Sequence, residues 1–250
     1  MLLAVDIGNT AIKFGVFDAD SLIFKLSIPT VRDLTGDGLA YVLRPRLTQH
    51  ITAAIVSSVV PEADQAVRDF IRSQYNVHAV FVANDWDFGL KINYEPLAEA
   101  GTDRITNTFS AVEKYGVPVI VCSFGTALAI DVVDPNRTLV GGVIAPGMQT
   151  LSAALQSTTS KLPRVEISKP EKVLQRTTIE SIQSGIVYGY FGLVEELLTK
   201  IKREIADEPK VVATGGFARL IAENTTQITI IDENLLLDGL RMLHAKTQTA

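Results

Sequence analysis

The stretch that decides the fold is Leu2–Asp18, LLAVDIGNTAIKFGVFD. The apolar run Met1–Val5 leads into Asp6, a tight turn runs through Gly8, Asn9 and Thr10, and a second alternating run follows. This pattern describes a buried strand that delivers a carboxylate to the floor of a cleft, then a hairpin. Gly8 lets the backbone approach a ligand closely, and Asn9 and Thr10 offer hydrogen bonds at the turn. A phosphate chain fits such a turn, with Asp6 placed to hold its Mg²⁺ directly or through water. The same residues also suit an ordinary hairpin whose Asp caps the turn.

A partial echo later in the chain favours the phosphate reading. Val121–Asp134, VCSFGTALAIDVVD, repeats the order of Val5–Asp18, VDIGNTAIKFGVFD: strand, small turn with Gly and Thr, strand, closing Asp. Two such units far apart in the chain suggest a duplicated domain with a nucleotide between the halves. The pattern resembles the superfamily of acetate and sugar kinases, actin and the heat-shock chaperone ATPases. Within it the chain is similar to the type III pantothenate kinase family. That resemblance is carried by DIGNT at Asp6–Thr10, SSVVP at Ser57–Pro61, GTDR at Gly101–Arg104 and FGTA at Phe124–Ala127. It continues through GGVIAPG at Gly141–Gly147, TIESIQSG at Thr178–Gly185 and ATGG at Ala213–Gly216.

Composition agrees with a folded, water-soluble chain. Of the 250 residues 47% are hydrophobic and 20% charged, enough to bury a core in one large domain or two small ones. The net charge of −5 argues against a broad basic nucleic-acid surface. Cys122 is the only cysteine, which rules out an internal disulfide and suits a reducing cytoplasm. No basic leader is expected at the N-terminus, and no apolar run approaches the roughly 18–20 residues a membrane span needs.

The first half reads strand, strand, strand, helix, strand, helix, strand, the order of a ribonuclease H-like unit. Leu22–Pro29 alternates as a third strand, and Val31–Thr48 has helical spacing interrupted by Gly36 and Gly38. Ala53–Val60 is a strand, Glu62–Tyr75 an amphipathic helix and Ala79–Val82 a strand. Asn84–Ala100 is irregular, a surface connection or a substrate wall, and runs into Gly101–Arg104 at the head of a helix. In the second half Val117–Val121 and Thr138–Ala145 are strands flanking the second hairpin, and Pro146–Gly147 opens a helix. Thr177 and Glu180 have capping-box spacing before the longest helix, with Ile186, Tyr190, Leu193, Val194 and Leu197 as its buried stripe. Lys210–Ala213 and Ile228–Ile231 are strands, Asn234–Ala245 is the closing helix, and the tail Lys246–Ala250 is the candidate for disorder. The expected fold is therefore α/β, two ribonuclease H-like domains in an actin-like ATPase fold with a nucleotide cleft between them. The domains are placed at 1–116 and 117–250.

There is no Walker loop, no G-x-G-x-x-G, no H-E-x-x-H and no paired cysteine, and His50, His78 and His244 are scattered. The inventory suits phosphoryl transfer, in which a protein chiefly positions reactants and neutralises charge. The loop Asp6, Ile7, Gly8, Asn9, Thr10, Ala11, Ile12 and Lys13 is assigned to the ATP phosphates, Thr126 to the opposite loop, and Gly215 and Gly216 to the adenosine. A helix start carrying Asp103 and Arg104 can bind an anion and accept a proton, or its Asp can simply satisfy first-turn N–H groups.

The resemblance implies more. Asp103 becomes the general base for the primary hydroxyl of pantothenate, with Tyr94, Gly101, Thr102, Arg104 and Thr178 as substrate contacts. The activity becomes ATP-dependent formation of 4′-phosphopantothenate, the first step of coenzyme A biosynthesis, in a cytoplasmic homodimer. Mg²⁺ accompanies ATP, and K⁺ or NH₄⁺ is expected in the second loop. There the family pattern D-F-G-T meets Ser123-Phe124-Gly125-Thr126, so the cation's carboxylate is replaced by serine. This departure leaves two readings: a kinase with a weakened monovalent-cation site, or a family member of little activity that binds ligands or serves as a transcription accessory.

Overall fold

The computed structural model describes residues 1–31, 33–205 and 208–249. It divides into two compact units, Met1–Lys114 with Asn234–Ala250, and Tyr115–Glu233.

Unit 1 begins with β1 (Leu2–Ile7), β2 (Ala11–Asp18), β3 (Ser21–Pro29), α1 (Gly36–Leu43), β4 (Ala53–Ser58), α2 (Pro61–Tyr75) and β5 (Ala79–Phe81), in the expected order. Its sheet is ordered β3-β2-β1-β4-β5. The three strands joined by short turns are antiparallel, whereas β4 and β5, reached through helices, lie parallel to β1. Alternation decides which face each residue meets. Leu3, Val5 and Ile7 join Phe14, Val56, Leu39, Leu43, Val67 and Phe70 in the core under α1 and α2. The residues between them, Ala4 and Asp6, lie on the opposite face.

α1 is shorter than the 31–48 pattern predicts, and Arg32 lies outside the described residues. Thr35 caps it by accepting a 3.1 Å bond from the Gly38 N–H. Gly36 is there for contact with α2: a Cβ on it would come within 2.9 Å of Asp69 Cβ. Beyond β5 the chain forms a short strand β6 (Lys91–Ile92), a 3-10 turn at Leu97–Glu99 and α3 (Thr102–Tyr115).

Unit 2 contains β7 (Val119–Phe124), β8 (Ala127–Val133), β9 (Thr138–Pro146), α4 (Met148–Thr158), α5 (Thr178–Glu204), β10 (Lys210–Gly215), α6 (Ala218–Ala222) and β11 (Ile230–Ile231). Its strands run β11-β10-β7-β8-β9, with β7–β8–β9 antiparallel and β10 and β11 parallel to the first strand. This is the topology of unit 1 read again, so the duplication suggested by the hairpins extends to whole sheets. α5 starts at the expected cap, Thr177, which accepts from the Glu180 N–H at 3.2 Å. One residue of its predicted stripe is misplaced: Leu193 is 36% exposed, while Ile182, Val187 and Leu198 are buried.

The chain then returns. α7 (Leu235–Thr249) packs on β1, β4 and β2 of unit 1, so the expected span 117–250 differs from the observed units at its C-terminal end. Lys25 bonds Asn234 at 2.7 Å, Lys114 pairs with Asp238 at 2.5 Å, and Arg241 pairs with Asp20. Small residues make room for the helix; a Cβ on Gly15 would lie 3.0 Å from Leu237 Cδ1. The helix also carries the sequence expected to be a loose tail as far as Thr249, and Ala250 lies outside the described residues.

At Gly239 of α7 a Cβ would meet the Thr106 carbonyl of α3 at 2.8 Å and Ser110 Cβ at 3.0 Å. Gly239→Ala is expected to destabilise the protein by about 1–3 kcal/mol through overpacking, read as a lower midpoint in urea. A midpoint equal to wild type would show that α3 and α7 are not in this close contact.

Candidate active site

In unit 1 the candidate residues meet at the C-terminal ends of β1 and β4. Register places Lys13 of β2 and Ser57 of β4 on either side of Asp6, all on the face away from the α1–α2 core. Lys13 Nζ lies 3.1 Å from Asp6 Oδ2. Burial pushes the Asp6 carboxyl above its ordinary range, and Lys13, with its side chain 42% exposed, only partly offsets this. A buried carboxylate so incompletely matched invites a further cation. Among the described residues no group of three or more His, Cys, Asp or Glu could hold a metal by itself. What this strand end offers a divalent cation is the Asp6 carboxylate.

The loop after β1 is braced. Gly8 N–H donates to the Ala11 carbonyl at 3.1 Å, while Asn9 and Thr10 stand exposed at the tip. Ile7 and Ile12, also assigned to the phosphates by sequence, are fully buried and contribute backbone and packing only.

Ser57, to which no role was assigned from sequence, connects this edge to Asp103. Thr102 Oγ1 donates to the Ser58 carbonyl at 3.1 Å, which uses its one proton. Ser57 Oγ, 3.0 Å away, must therefore donate to Thr102 Oγ1. This anchors the first residue of α3 to β4, one strand from Asp6. The segment before it is pinned by Asn84, whose Nδ2 donates to the Ala100 carbonyl at 2.6 Å and to the Leu97 carbonyl at 3.0 Å. Phe88 fixes the same irregular stretch by stacking edge-on against Phe109 of α3, ring centroids 6.2 Å apart.

Asp103 is half-buried, and its Oδ1 accepts from the Arg104 N–H at 2.8 Å. Its carboxylate lies over Gly101, where a Cβ would come within 2.5 Å of Oδ1. Arg104 is buried; its guanidinium donates to Tyr94 Oη at 3.2 Å and lies 5.1 Å from that ring's centroid. Tyr94 and Arg104, separately expected as substrate contacts, thus form one assembly, an aromatic ring against a cation one residue from Asp103.

In unit 2 the candidates gather at the ends of β7 and β10. Gly125 N–H donates to the Ala127 carbonyl at 3.0 Å, closing the two-residue loop Gly125–Thr126. Gly215 has φ +95°, and a Cβ there would fall 2.4 Å from the Phe124 carbonyl oxygen. Gly147 approaches the loop from the head of α4, where a Cβ would lie 2.2 Å from the Gly125 carbonyl oxygen. Thr126 and Gly216 are exposed beside this glycine-lined backbone. The GGVIAPG run quoted from the sequence signals Gly147, whose role there went unassigned. Thr178 is exposed at the first position of α5, and among the described residues no hydrogen bond ties it to this cluster.

Ser123 is the register counterpart of Asp6. Each is the last residue but one of its strand; Ala129 then stands where Lys13 does, and Thr214 where Ser57 does. The second site has exchanged carboxylate and ammonium together for neutral groups.

Comparison with known proteins agrees. The sequence profile of the family described as type III pantothenate kinase matches residues 2–200. A type III pantothenate kinase of Finegoldia magna is 38% identical over 253 residues, covering 98% of this chain and 97% of that one. That of Halalkalibacterium halodurans is 37% identical over 252 residues, covering 98% and 99%. The chain belongs to the type III pantothenate kinase family. Among solved structures, a Campylobacter jejuni protein assigned to the Baf family of transcriptional activators superposes with TM-score 0.57 at 18% identity, covering 99% of this chain and 100% of that one. An Arthrobacter polyphosphate/ATP-glucomannokinase gives 0.50 at 13%, covering 98% of each. At these identities the two structures speak to the fold alone, an α/β arrangement with two mixed sheets.

The family assignment gives the Gly101 contact a consequence. Gly101→Ala should leave the melting temperature close to wild type, since the atom it meets is the movable end of a side chain. If Asp103 takes a proton in the reaction, displacing it should lower kcat by up to about 10²–10⁴-fold. An active Gly101→Ala enzyme would show that the carboxylate need not lie over this glycine.

Proposed function

We propose that the chain transfers the γ-phosphoryl group of ATP to the primary hydroxyl of pantothenate, forming 4′-phosphopantothenate at the entry to coenzyme A biosynthesis. The observation that carries the reading is the Ser57–Thr102 link, which sets the head of α3, with Asp103, beside the strand end that bears Asp6. A metal-binding carboxylate and a base anchored to adjacent strand ends are what in-line transfer to a hydroxyl requires. The accessory, non-catalytic reading has no such support, since the likeness to the Baf protein is one of fold.

In this reading Asp103 takes the hydroxyl proton as the oxygen attacks. Arg104, oriented by Tyr94, binds the pantothenate carboxylate, and Gly101 and Thr102 shape the floor beneath it. Asp6 would hold Mg²⁺, which would supply positive charge to the phosphates of bound ATP. Lys13 offers its ammonium to the same phosphates, Gly8–Thr10 and Thr126 line them, and Gly215 and Gly216 leave room for adenosine. A homodimer is proposed with Thr178 of one subunit completing its partner's pocket. Val173, Leu174 and Ile179 support it, being 60%, 91% and 53% exposed around that threonine. A cytoplasmic location is proposed from the lone, buried Cys122. Among the described residues no helix is long and apolar enough to cross a membrane.

Asp103→Asn should abolish turnover and leave pantothenate affinity within a few-fold, because Arg104 rather than Asp103 is the binding group. A near-normal kcat would remove Asp103 from the base role.

A K⁺ or NH₄⁺ site is a poor fit here. Ser123 offers one neutral oxygen, and its register neighbours Ala129 and Thr214 add no charge. The rate is therefore expected to be nearly indifferent to K⁺ against Na⁺. Ser123→Asp should introduce dependence, with the variant slower than wild type at low K⁺, where an unmatched carboxylate repels phosphate, and faster at high K⁺. Strong activation of the wild type by K⁺ would mean that other oxygens, such as those of the buried Asp131, already build a site.

A further inference from the structure

The duplication reaches a pair of contacts outside the residues assigned so far. Each unit's third strand ends in a proline paired with the first residue of the second strand: Ala11 with Pro29, Ala127 with Pro146. The next residue then turns its N–H onto the phosphate hairpin. Thr30 N–H donates to the Thr10 carbonyl at 3.0 Å, and Gly147 N–H donates to the Thr126 carbonyl at 2.9 Å. In both units a half-buried threonine adds a hydroxyl bond of the same length. Thr30 Oγ1 donates to the Gly8 carbonyl at 2.6 Å, and Thr150 Oγ1 donates to the Thr126 carbonyl at 2.6 Å.

These bonds fix peptide planes. The Thr126 carbonyl accepts two bonds, which engages both of its lone pairs. Because the peptide is planar and trans, a carbonyl held toward its threonine aims the next N–H the other way. The planes concerned are Gly8–Asn9 and Thr126–Ala127, and Asn9, Thr126 and Ala127 are all exposed. Were either plane to flip, a carbonyl dipole would replace an N–H dipole on the side where an anion has to sit.

We propose that Thr30 and Thr150 are positioning residues for nucleotide binding, one for each phosphate hairpin, which hold loop carbonyls away from the phosphate chain. This rests on the assignment of both hairpins to ATP phosphates. It predicts a selective effect. Thr30→Val and Thr150→Val keep the shape but lose the hydroxyl, and each should raise the KM for ATP about three- to tenfold. The KM for pantothenate should stay unchanged. Thr→Ser at either position should restore the wild-type value, since serine keeps the donor. The loops are separate, so the double Val variant should show the product of the two effects.

The test is titration of a fluorescent, non-hydrolysable ATP analogue into wild type, both Val variants, both Ser variants and the double variant. Steady-state kinetics and a thermal melt accompany it. Analogue binding without phosphopantothenate formation by the wild type would overturn the proposed substrate while still testing the braces. Val variants that bind the analogue within twofold of wild type would overturn the braces, as would Ser variants as weak as Val. If one Val variant fails to fold, its Ser counterpart and the other hairpin's pair decide the matter.

Discussion

Unit 1 depends on the parallel pairing of β1 with β4. β1 is the middle strand of its sheet, with Leu3, Ala4, Val5 and Ile7 all fully buried and Asp6 nearly so. A strand buried on both faces has little freedom of register, because a slip of one residue exchanges its faces. Here a slip would drive Asp6 into the Leu39–Phe70 core and turn Leu3, Val5 and Ile7 toward α7. Burying an unpaired carboxylate among aliphatic side chains is far costlier than any gain from the slipped contacts. The antiparallel pairing with β2 sets Lys13 beside Asp6 and the parallel pairing with β4 sets Ser57 on its other side, so the two registers of β1 fix the ion pair and the anchor of α3.

The second unit uses the same topology to another end. Ser123, Ala129 and Thr214 occupy the positions of Asp6, Lys13 and Ser57, and none carries a charge. The counterpart site instead relies on backbone proximity. Gly215 lies against the Phe124 carbonyl, and Gly147 against the carbonyl of Gly125, at distances no side chain would permit. Charge is concentrated in one half and close backbone approach in the other.

Much of this was legible in the sequence because it is local. Period-two alternation, the Gly and Thr of the hairpins, the Thr177–Glu180 cap and the Pro146–Gly147 break all act over a few residues, and each lies where the pattern puts it. What escaped depends on distant partners. Ser57 looks like one of two serines closing an apolar strand, and only the parallel register beside Asp6 and the contact with Thr102 give it a task. Nothing in LLLDGLRMLHAK says which sheet its helix will cover; that is settled by small residues elsewhere, Gly15 and the Thr106–Ser110 turn of α3. Leu193 fits the helical stripe of α5 by spacing yet stands 36% exposed, since the buried face runs through Ile186, Val187, Tyr190, Val194 and Leu198 and leaves Leu193 at its edge.

These departures from ordinary packing bear on whether the chain is a working or a lapsed kinase. A carboxylate at 5% exposure with an incompletely buried partner opposes folding, as does a glycine at φ +95° through its extra freedom in the unfolded chain. Neither feature improves a core: alanine would suit the Asp6 position, matching Ala4 on the same face. Such costs are typical of binding sites rather than of packed cores. The neutral side chain at Ser123 stands beside no similar simplification at Asp6, Gly101, Gly147 or Gly215. The chain therefore keeps a buried carboxylate in one unit and glycine-tight backbone turns in the other, while the second unit has neither the carboxylate nor the ammonium of the first.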